Sequence, residues 1–437
     1  MSYSELTDWM FNLERFGIKL GLENMEEFLA RAGDPHRAFK TVHVTGTNGK
    51  GSVCVFLAEV LHEHGLKVGL YTSPHLVDFR ERIKVDGLMI PEEDVVRIGS
   101  DLRGVMESMA KEDGEKQLTF FEFTTGLAFQ YFKERKVDIV VAEVGMGGRL
   151  DATNVVTPEV SVITRIGLEH TNYLGRTIPE IAREKAGIIK KGVPVVTCDR
   201  SPEALAVIAG TCRKKGAKLA RIGHEFDVTG TRMSLDGVDF DYRGAKEYKD
   251  IHSRLLGTHQ AQNAGAAVAV IEELARRGIE VSESDLRAGL KKAAWPGRLD
   301  VVSRRPLVIL DGSHNPDGIG TTVKALEALD VVPLTYVLGC MDDKDAEGIV
   351  RALAPTAAKI LVTQARFKRA LAAERMEEVV KRHFDGPTET LKDPAAAFER
   401  GLASIEGKGL CVIGSLYLVG EAIPWWEDRK RNRAHKV

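Results

Sequence analysis

The sequence predicts an α/β protein: a wound, mostly parallel sheet that carries a phosphate-binding loop, followed by a smaller Rossmann-like α/β domain. Three observations carry that reading. From residue 40 onward, short Val/Ile-rich runs alternate with helical patterns, as in strands joined by crossover helices. Between the first such run and the first such helix lies Gly46-Thr-Asn-Gly-Lys-Gly-Ser52, a glycine-punctuated loop that lets backbone N–H groups approach an anion closely. Further on, Ala294-Trp-Pro-Gly-Arg-Leu-Asp300 sets Pro296 beside Gly297, a pair that stops a helix and fits a domain junction.

At 437 residues the chain exceeds the size at which one core stops growing, so two domains are expected, at 1–295 and 296–437. After N-terminal helices, the first holds strands near 40–45, 66–71, 137–143, 159–164 and 193–197, with helices near 50–64, 121–134 and 177–190. The runs 137–143 and 159–164 are almost continuously apolar, as in strands covered on both faces, and belong in the middle of the sheet. Residues 225–245 alternate with turns, which suggests a small antiparallel excursion. Helical patterning returns at 259–277 and 282–293. The second series has strands near 307–311, 334–339, 358–363 and 410–414 and helices near 316–329, 344–353, 371–383 and 394–404. It lacks a G-x-G-x-x-G turn after its first strand, which argues against a dinucleotide site.

Lys and Arg number 61 against 63 Asp and Glu, a formal charge of −2, which speaks against nucleic-acid binding through a general basic field. Five cysteines without a C-x-x-C pair suggest neither a disulfide framework nor a cysteine zinc site, and a reducing compartment. The N-terminus has no basic and apolar leader, and the apolar stretch Cys411–Trp426 is broken by Glu421, too short to span a bilayer. A cytoplasmic, membrane-free address is expected. The basic run from Arg429 to Lys436 reads as a solvated tail, and without a heptad seam a monomer is expected.

Within the glycine loop, Lys50 is placed to reach the outer phosphates of a nucleotide. The spacing departs from G-x-x-x-x-G-K-[ST], because two residues separate Gly46 from Gly49 and Gly51 precedes Ser52. In wound sheets ligand groups gather beyond the carboxyl ends of strands, where Ser73 and His75, Glu143, and His170 all fall. A hydroxyl, a carboxylate and an imidazole could surround Mg²⁺ on nucleotide phosphates, the imidazole fitting least well. Glu143 closes an apolar strand, which is costly unless a cation or hydrogen-bond donors compensate. The loop Gly145-Met-Gly-Gly-Arg-Leu-Asp151 turns sharply and presents Arg149 and Asp151.

Taken in order, GTNGKGS at 46–52, TSPHL at 72–76 with FRERI at 79–83, FFEFTT at 120–125, GGRLDATN at 147–154, REKAGI at 183–188, HQAQN at 259–263, PGR at 296–298 and DGSHNP at 311–316 resemble the folylpolyglutamate synthase/dihydrofolate synthase family of the Mur-type amide ligases. The resemblance covers about residues 40–316 and implies a first domain like the Mur-ligase central domain. It also implies an ATP- and Mg²⁺-dependent ligase that adds L-glutamate to dihydropteroate, to reduced folylpolyglutamates, or to both, through an acyl phosphate. The second domain would close over nucleotide and glutamate. Another Mur-type ligase acting on a cell-wall precursor, or a P-loop NTPase switch, are the alternatives; only about forty residues precede the loop strand, too few for the extra domain that the former would need.

By the same resemblance Thr47, Asn48, Gly49, Lys50, Gly51 and Ser52 cradle the phosphates, Ser73, Glu143 and His170 hold Mg²⁺, Asn263 meets adenine, Arg298 the phosphates and Asp311 the ribose, with His314 lining the same cleft. Lys50, Lys185 and His170 would be the catalytic residues, Lys185 carrying a carboxylate formed with CO₂; potassium is left open as a further cation. Thr119, Phe120, Phe121 and Glu122, with Arg149, Leu150, Asp151 and Ala152, match positions around the pterin. The loop reads Asp311-Gly-Ser-His where the family pattern has alanine, so Ser313 is a small departure.

Overall fold

The computed structural model describes residues 1–17 and 21–434. They form two compact units, one of Met1–Gly230, Phe240–His252 and Gln262–Ala293, the other of Thr231–Asp239, Ser253–Ala261 and Ala294–Val437. In the first unit the strands are β1 (Lys40–Thr45), β2 (Val68–Tyr71), β3 (Ile83–Val85), β4 (Leu88–Met89), β5 (Ile139–Glu143), β6 (Val160–Ile163), β7 (Val195–Thr197) and β8 (Leu219–Arg221), in the order β4-β3-β2-β5-β1-β6-β7-β8. β1 lies between β5 and β6 and is parallel to both. The two runs expected in the middle of the sheet are there, and each residue of both strands is buried. Register sets Glu143 level with Val44, so the acid and the glycine loop leave the sheet at the same edge.

Beyond β2, β3 adds antiparallel to it and β4 antiparallel to β3. These strands of three and two residues are too short to show a period in the sequence. The helix Glu92–Glu112, also absent from the sequence reading, buries Val95, Ile98, Leu102, Met106 and Met109. With Tyr3–Asn12, Glu23–Arg31 and Phe120–Glu134 it forms the main core of this unit, where Trp9 meets Phe123 edge-on at 5.1 Å.

The expected antiparallel excursion is β9 (Asp227–Ser234), β10 (Gly237–Arg243) and β11 (Glu247–Ser253), in the order β11-β10-β9. In the second unit β12 (Asp300–Arg304), β13 (Leu307–Asp311), β14 (Leu334–Leu338), β15 (Ala357–Val362), β16 (Thr388–Thr390) and β17 (Leu410–Ile413) pair in the order β12-β13-β17-β14-β15-β16. All pairs are parallel except β12–β13. Alternation divides the core in two: Ile309, Tyr336, Ile360 and Cys411 pack on one face, Val308, Val337, Leu361 and Val412 on the other.

The solvated tail expected from Arg429 is instead the end of a helix, Leu416–Ala434. Arg429 pairs with Glu399 at 2.6 Å and lies over Trp425, contacts that keep the chain helical; His435 and Lys436 of that run lie outside the described residues. All five cysteines are buried and unpaired. Among the described residues no helix is long and apolar enough to cross a membrane.

The helix that begins within the glycine loop, Lys50–Glu63, is held by Glu283–Lys292. They meet at buried Gly289, where a Cβ would fall on the Val60 backbone, and Lys292 Nζ reaches Glu63 Oε1 at 2.7 Å. Gly289→Leu forces the helices apart and is expected to cost about 2–3 kcal/mol by urea unfolding; a loss within the error of the measurement would show that the close approach is dispensable.

Candidate active site

β1 hands the chain to the glycine loop at Thr45. Gly46 has φ +152 and no space for a side chain beside Thr164, and Gly49 has φ +93, where a Cβ would stand 2.6 Å from Asn263 Oδ1. Between them the N–H groups of Thr47 and Asn48 donate to the Arg165 carbonyl at 2.8 and 3.3 Å. The Thr47 hydroxyl donates to the Gly167 carbonyl at 3.1 Å, and the Gly167 N–H donates to that hydroxyl at 3.0 Å. The loop is thus fixed by backbone atoms, and the 14-residue helix from Lys50 adds the positive end of its dipole. Lys50 Nζ folds back to donate to the carbonyls of Gly46 and Thr47 at 3.1 and 3.2 Å.

Lys185 reaches the same place. It ends the helix Ile178–Ala186, is buried, and donates from Nζ to the Gly46 carbonyl at 2.7 Å. Burial, and secondly the Lys50 charge, lower its pKa to about 7, against the opposing pull of Glu169 and Asp151. The same helix turn holds the loop 145–151. Arg149 N–H donates to the Glu184 carbonyl at 2.8 Å, the Arg149 guanidinium pairs with the Glu184 carboxylate at 3.0 Å, and a Cβ on Gly148 would meet the Glu184 and Lys185 carbonyls. One helical turn therefore touches both glycine-rich loops.

Inside that second loop Asp151 is buried and accepts from Met146 N–H at 2.9 Å and Thr153 N–H at 3.0 Å. Burial raises its pKa against those bonds. Ala152 is buried, Leu150 half-buried and Arg149 exposed. The Phe121 ring covers Gly145, where a Cβ would come within 2.6 Å of it. Thr119 and Glu122 form a reciprocal cap: Glu122 Oε2 accepts from the Thr119 N–H and hydroxyl, each at 2.8 Å. Phe120 stacks on Phe11 at 5.3 Å, and the Arg82 guanidinium lies 5.2 Å above its ring. Arg82 Nε donates to His75 Nδ1 at 2.8 Å; burial, then the Arg82 charge, pull His75 down to about 4, so its ring proton sits on Nε2. His75 was expected at this strand end but given no role, and Phe11 and Arg82 were not among the expected site residues. His75 and Arg82 stood inside quoted motifs, whereas Phe11 comes from an N-terminal helix that carries no motif.

Glu143 is buried at the end of β5 and accepts from the Ser73 N–H at 3.1 Å. A carboxylate beside a serine, at the sheet edge from which the glycine loop leaves, is a donor set for a hard cation that keeps water or phosphate oxygens in its remaining positions. His170 stands differently: it is exposed, at φ +50 before the helix Thr171–Leu174, with Nε2 3.9 Å from Glu169 Oε1. Among the described residues no group of three or more His, Cys, Asp or Glu side chains is arranged to hold a metal.

Arg298, Asp311 and His314 belong to the second unit. Buried Asp311 accepts from Leu299 N–H at 2.8 Å, Ser313 N–H at 3.1 Å and the Thr322 hydroxyl at 2.9 Å. It thereby fixes the turn that carries half-buried Arg298. The Ser313 hydroxyl extends this network to Thr322 at 3.1 Å, which gives the departure from alanine a hydrogen bond. His314 Nδ1 lies 2.9 Å from the Gly312 carbonyl and, facing an oxygen that only accepts, carries the proton.

Residues 44–271 match the Mur ligase middle domain and residues 297–416 the Mur ligase, glutamate ligase domain. The chain is 37% identical over 425 residues to the dihydrofolate synthase/folylpolyglutamate synthase of Bacillus subtilis, covering 96% of this chain and 98% of that one. Among solved structures it is similar to Mycobacterium tuberculosis folylpolyglutamate synthase complexed with ADP and AMPPCP, with TM-score 0.90 and 30% identity over 97% of this chain and 98% of that one. Escherichia coli FolC in complex with DHPP and ADP matches with TM-score 0.87 and 32% identity, over the same shares. The chain belongs to the dihydrofolate synthase/folylpolyglutamate synthase family of the Mur ligases, which are ATP-dependent.

Gly49→Ala places a side chain in left-handed backbone and against Asn263. We expect a stability loss of about 1–3 kcal/mol and at least tenfold weaker ATP binding by calorimetry; native affinity would show that the loop does not set the nucleotide site.

Proposed function

We propose that this chain joins the amine of L-glutamate to the carboxylate of dihydropteroate and also to the terminal carboxylate of reduced folylpolyglutamates. The observation that carries the reading is the helical turn Glu184–Lys185, which binds the phosphate loop through Gly46 and the loop 145–151 through Arg149. This contact supports a reading in which carboxylate activation and acceptor recognition lie side by side.

The chemistry follows from the poor reactivity of a carboxylate. An acceptor oxygen attacks the γ-phosphorus of ATP and ADP leaves; the neutral amine of glutamate then attacks the acyl phosphate, phosphate departs, and a proton is released. Catalysis of this kind depends on holding and neutralising charge. Thr47 to Ser52 bind the phosphates and Lys50 follows the γ-phosphoryl group. Magnesium, held by Ser73 and Glu143 with His170 as a further ligand, would neutralise phosphate charge; potassium is a second candidate cation. Asn263 meets adenine, Asp311 the ribose and Arg298 the phosphates, and His314 serves the nucleotide as well. Thr119 to Glu122 and Arg149 to Ala152 hold the pterin, with Phe120 or Phe121 against its face. The proposed domains are 1–295 and 296–437, apart from Thr231–Asp239 and Ser253–Ala261, which group with the second compact unit; the chain works as a monomer, and five unpaired thiols suit the cytoplasm.

Lys185 is proposed to carry a carbamate. With a pKa of about 7 its neutral amine is plentiful at physiological pH; Nζ attacks CO₂ and gives up a proton, leaving a carboxylate on the lysine. The sign follows: below pH 7 the ammonium prevails and the carbamate is lost, above it the carbamate gains. Protein equilibrated with ¹³CO₂ is expected to show a carbamate carbon resonance that grows between pH 6 and 8 and disappears in Lys185→Arg, and a spectrum without it would remove this assignment.

Purified protein with Mg·ATP and glutamate, offered dihydropteroate and a reduced folylmonoglutamate in parallel, is expected to extend both. A single product would cut the proposal in half, and ATP hydrolysis independent of any acceptor would favour a switch protein.

A further inference from the structure

Beneath the loop 145–151, β1 contributes two polar side chains, His43 and Thr45, both fully buried. The Thr45 hydroxyl donates to the Gly147 carbonyl at 2.6 Å. His43 Nε2 lies 2.7 Å from the Thr153 hydroxyl, which lies 2.5 Å from Asp151 Oδ1. Burial, and then Lys190, push the His43 pKa down to about 3, so the ring is neutral.

The order of protons along this line follows from geometry. At 2.5 Å from a carboxylate oxygen the threonine must donate to it, as a short charge-assisted bond. Its single proton is then spent, so His43 Nε2 must carry a hydrogen and donate to the threonine. His43 Nδ1 is buried with no hydrogen-bond partner. The opposite tautomer would leave an N–H there without an acceptor and face a bare nitrogen toward an oxygen that has no hydrogen to give, at a desolvation cost.

We propose that His43 is a positioning residue for the acceptor substrate: through Thr153 it holds the Asp151 carboxylate in one orientation, with Oδ1 occupied by the Thr153 N–H and hydroxyl, and with Oδ2, which accepts from the Met146 N–H at 2.9 Å, offering its second lone pair to an N–H donor of the pterin ring. The proposal rests on the assignment of Asp151 to the pterin. A strand core position ordinarily holds an aliphatic side chain; here a neutral imidazole, separated by two strand residues from Gly46 where the glycine loop begins, sets the direction of a hydroxyl proton in the neighbouring loop.

The test is binding of dihydropteroate, measured by calorimetry in the presence of ADP. His43→Leu and Thr153→Val remove the line at two points, and each is expected to weaken dihydropteroate about tenfold while ADP affinity changes less than twofold. His43→Gln, whose amide N–H reaches about as far as Nε2, and Thr153→Ser are expected to recover to within threefold of the native value. A merely structural histidine would lower the melting temperature and weaken both ligands alike, and the glutamine would not rescue. If His43→Leu does not fold, Thr153→Val against Thr153→Ser decides. Asp151→Asn is measured beside them. Native binding by that variant means the ring does not meet Asp151, and the pterin assignment fails; weakened binding by Asp151→Asn with native binding by both His43→Leu and Thr153→Val overturns the role of His43 alone.

Discussion

The carbonyl oxygen of Gly46 accepts from two ammonium groups, Lys50 at 3.1 Å and Lys185 at 2.7 Å. Two cations sharing one buried acceptor is an arrangement that proteins avoid, because each charge raises the cost of the other. Burial first, and then the Lys50 charge, bring Lys185 down to about 7. The backbone that creates the shared acceptor depends in turn on two glycines at positive φ and on the Arg165 carbonyl that pins Thr47 and Asn48. The shape of the glycine loop, the two lysines and the placement of the loop 145–151 thus depend on a single turn of chain.

Much of the scaffold was legible in the sequence for one reason. β1, β5, β6 and the central strands of the second sheet are covered on both faces, so burial writes them as apolar runs. Elements that bury less were harder to read. β4, β12 and β16 lie at sheet edges, β3 lies next to one, and all four are short or half-exposed. The helix Glu92–Glu112 shows about one core residue per turn, a narrow stripe among charges, and the last helix was masked by its basic end, which Glu399 and two tryptophans hold in place.

Site legibility followed a different rule. The phosphate loop is a local motif, with its geometry contained in seven successive residues, and so could be read directly. Lys185 could not be distinguished from a surface lysine until its helix was seen to bury it. Conversely, a carboxylate can be bound to its own chain: Glu122 caps its helix through Oε2, Asp151 clasps its loop, and Asp311 secures the turn of Arg298. Each of these acids was expected to meet ligand, and each also shapes the backbone beside it, a division of labour that spacing in a sequence does not reveal.

The chain crosses from one compact unit to the other more than once before it settles in the second at Ala294. Met233 and Leu235 pack on the second unit's core of Leu299, Leu307 and Ile309, and Asp236 pairs with Arg304 at 2.5 Å. A fragment that began at Ala294 would lack these pieces of its own interior and expose apolar surface where they had been. A gene break at the Pro296-Gly297 junction therefore leaves the second unit incomplete, with parts of its interior carried on the fragment that holds the first.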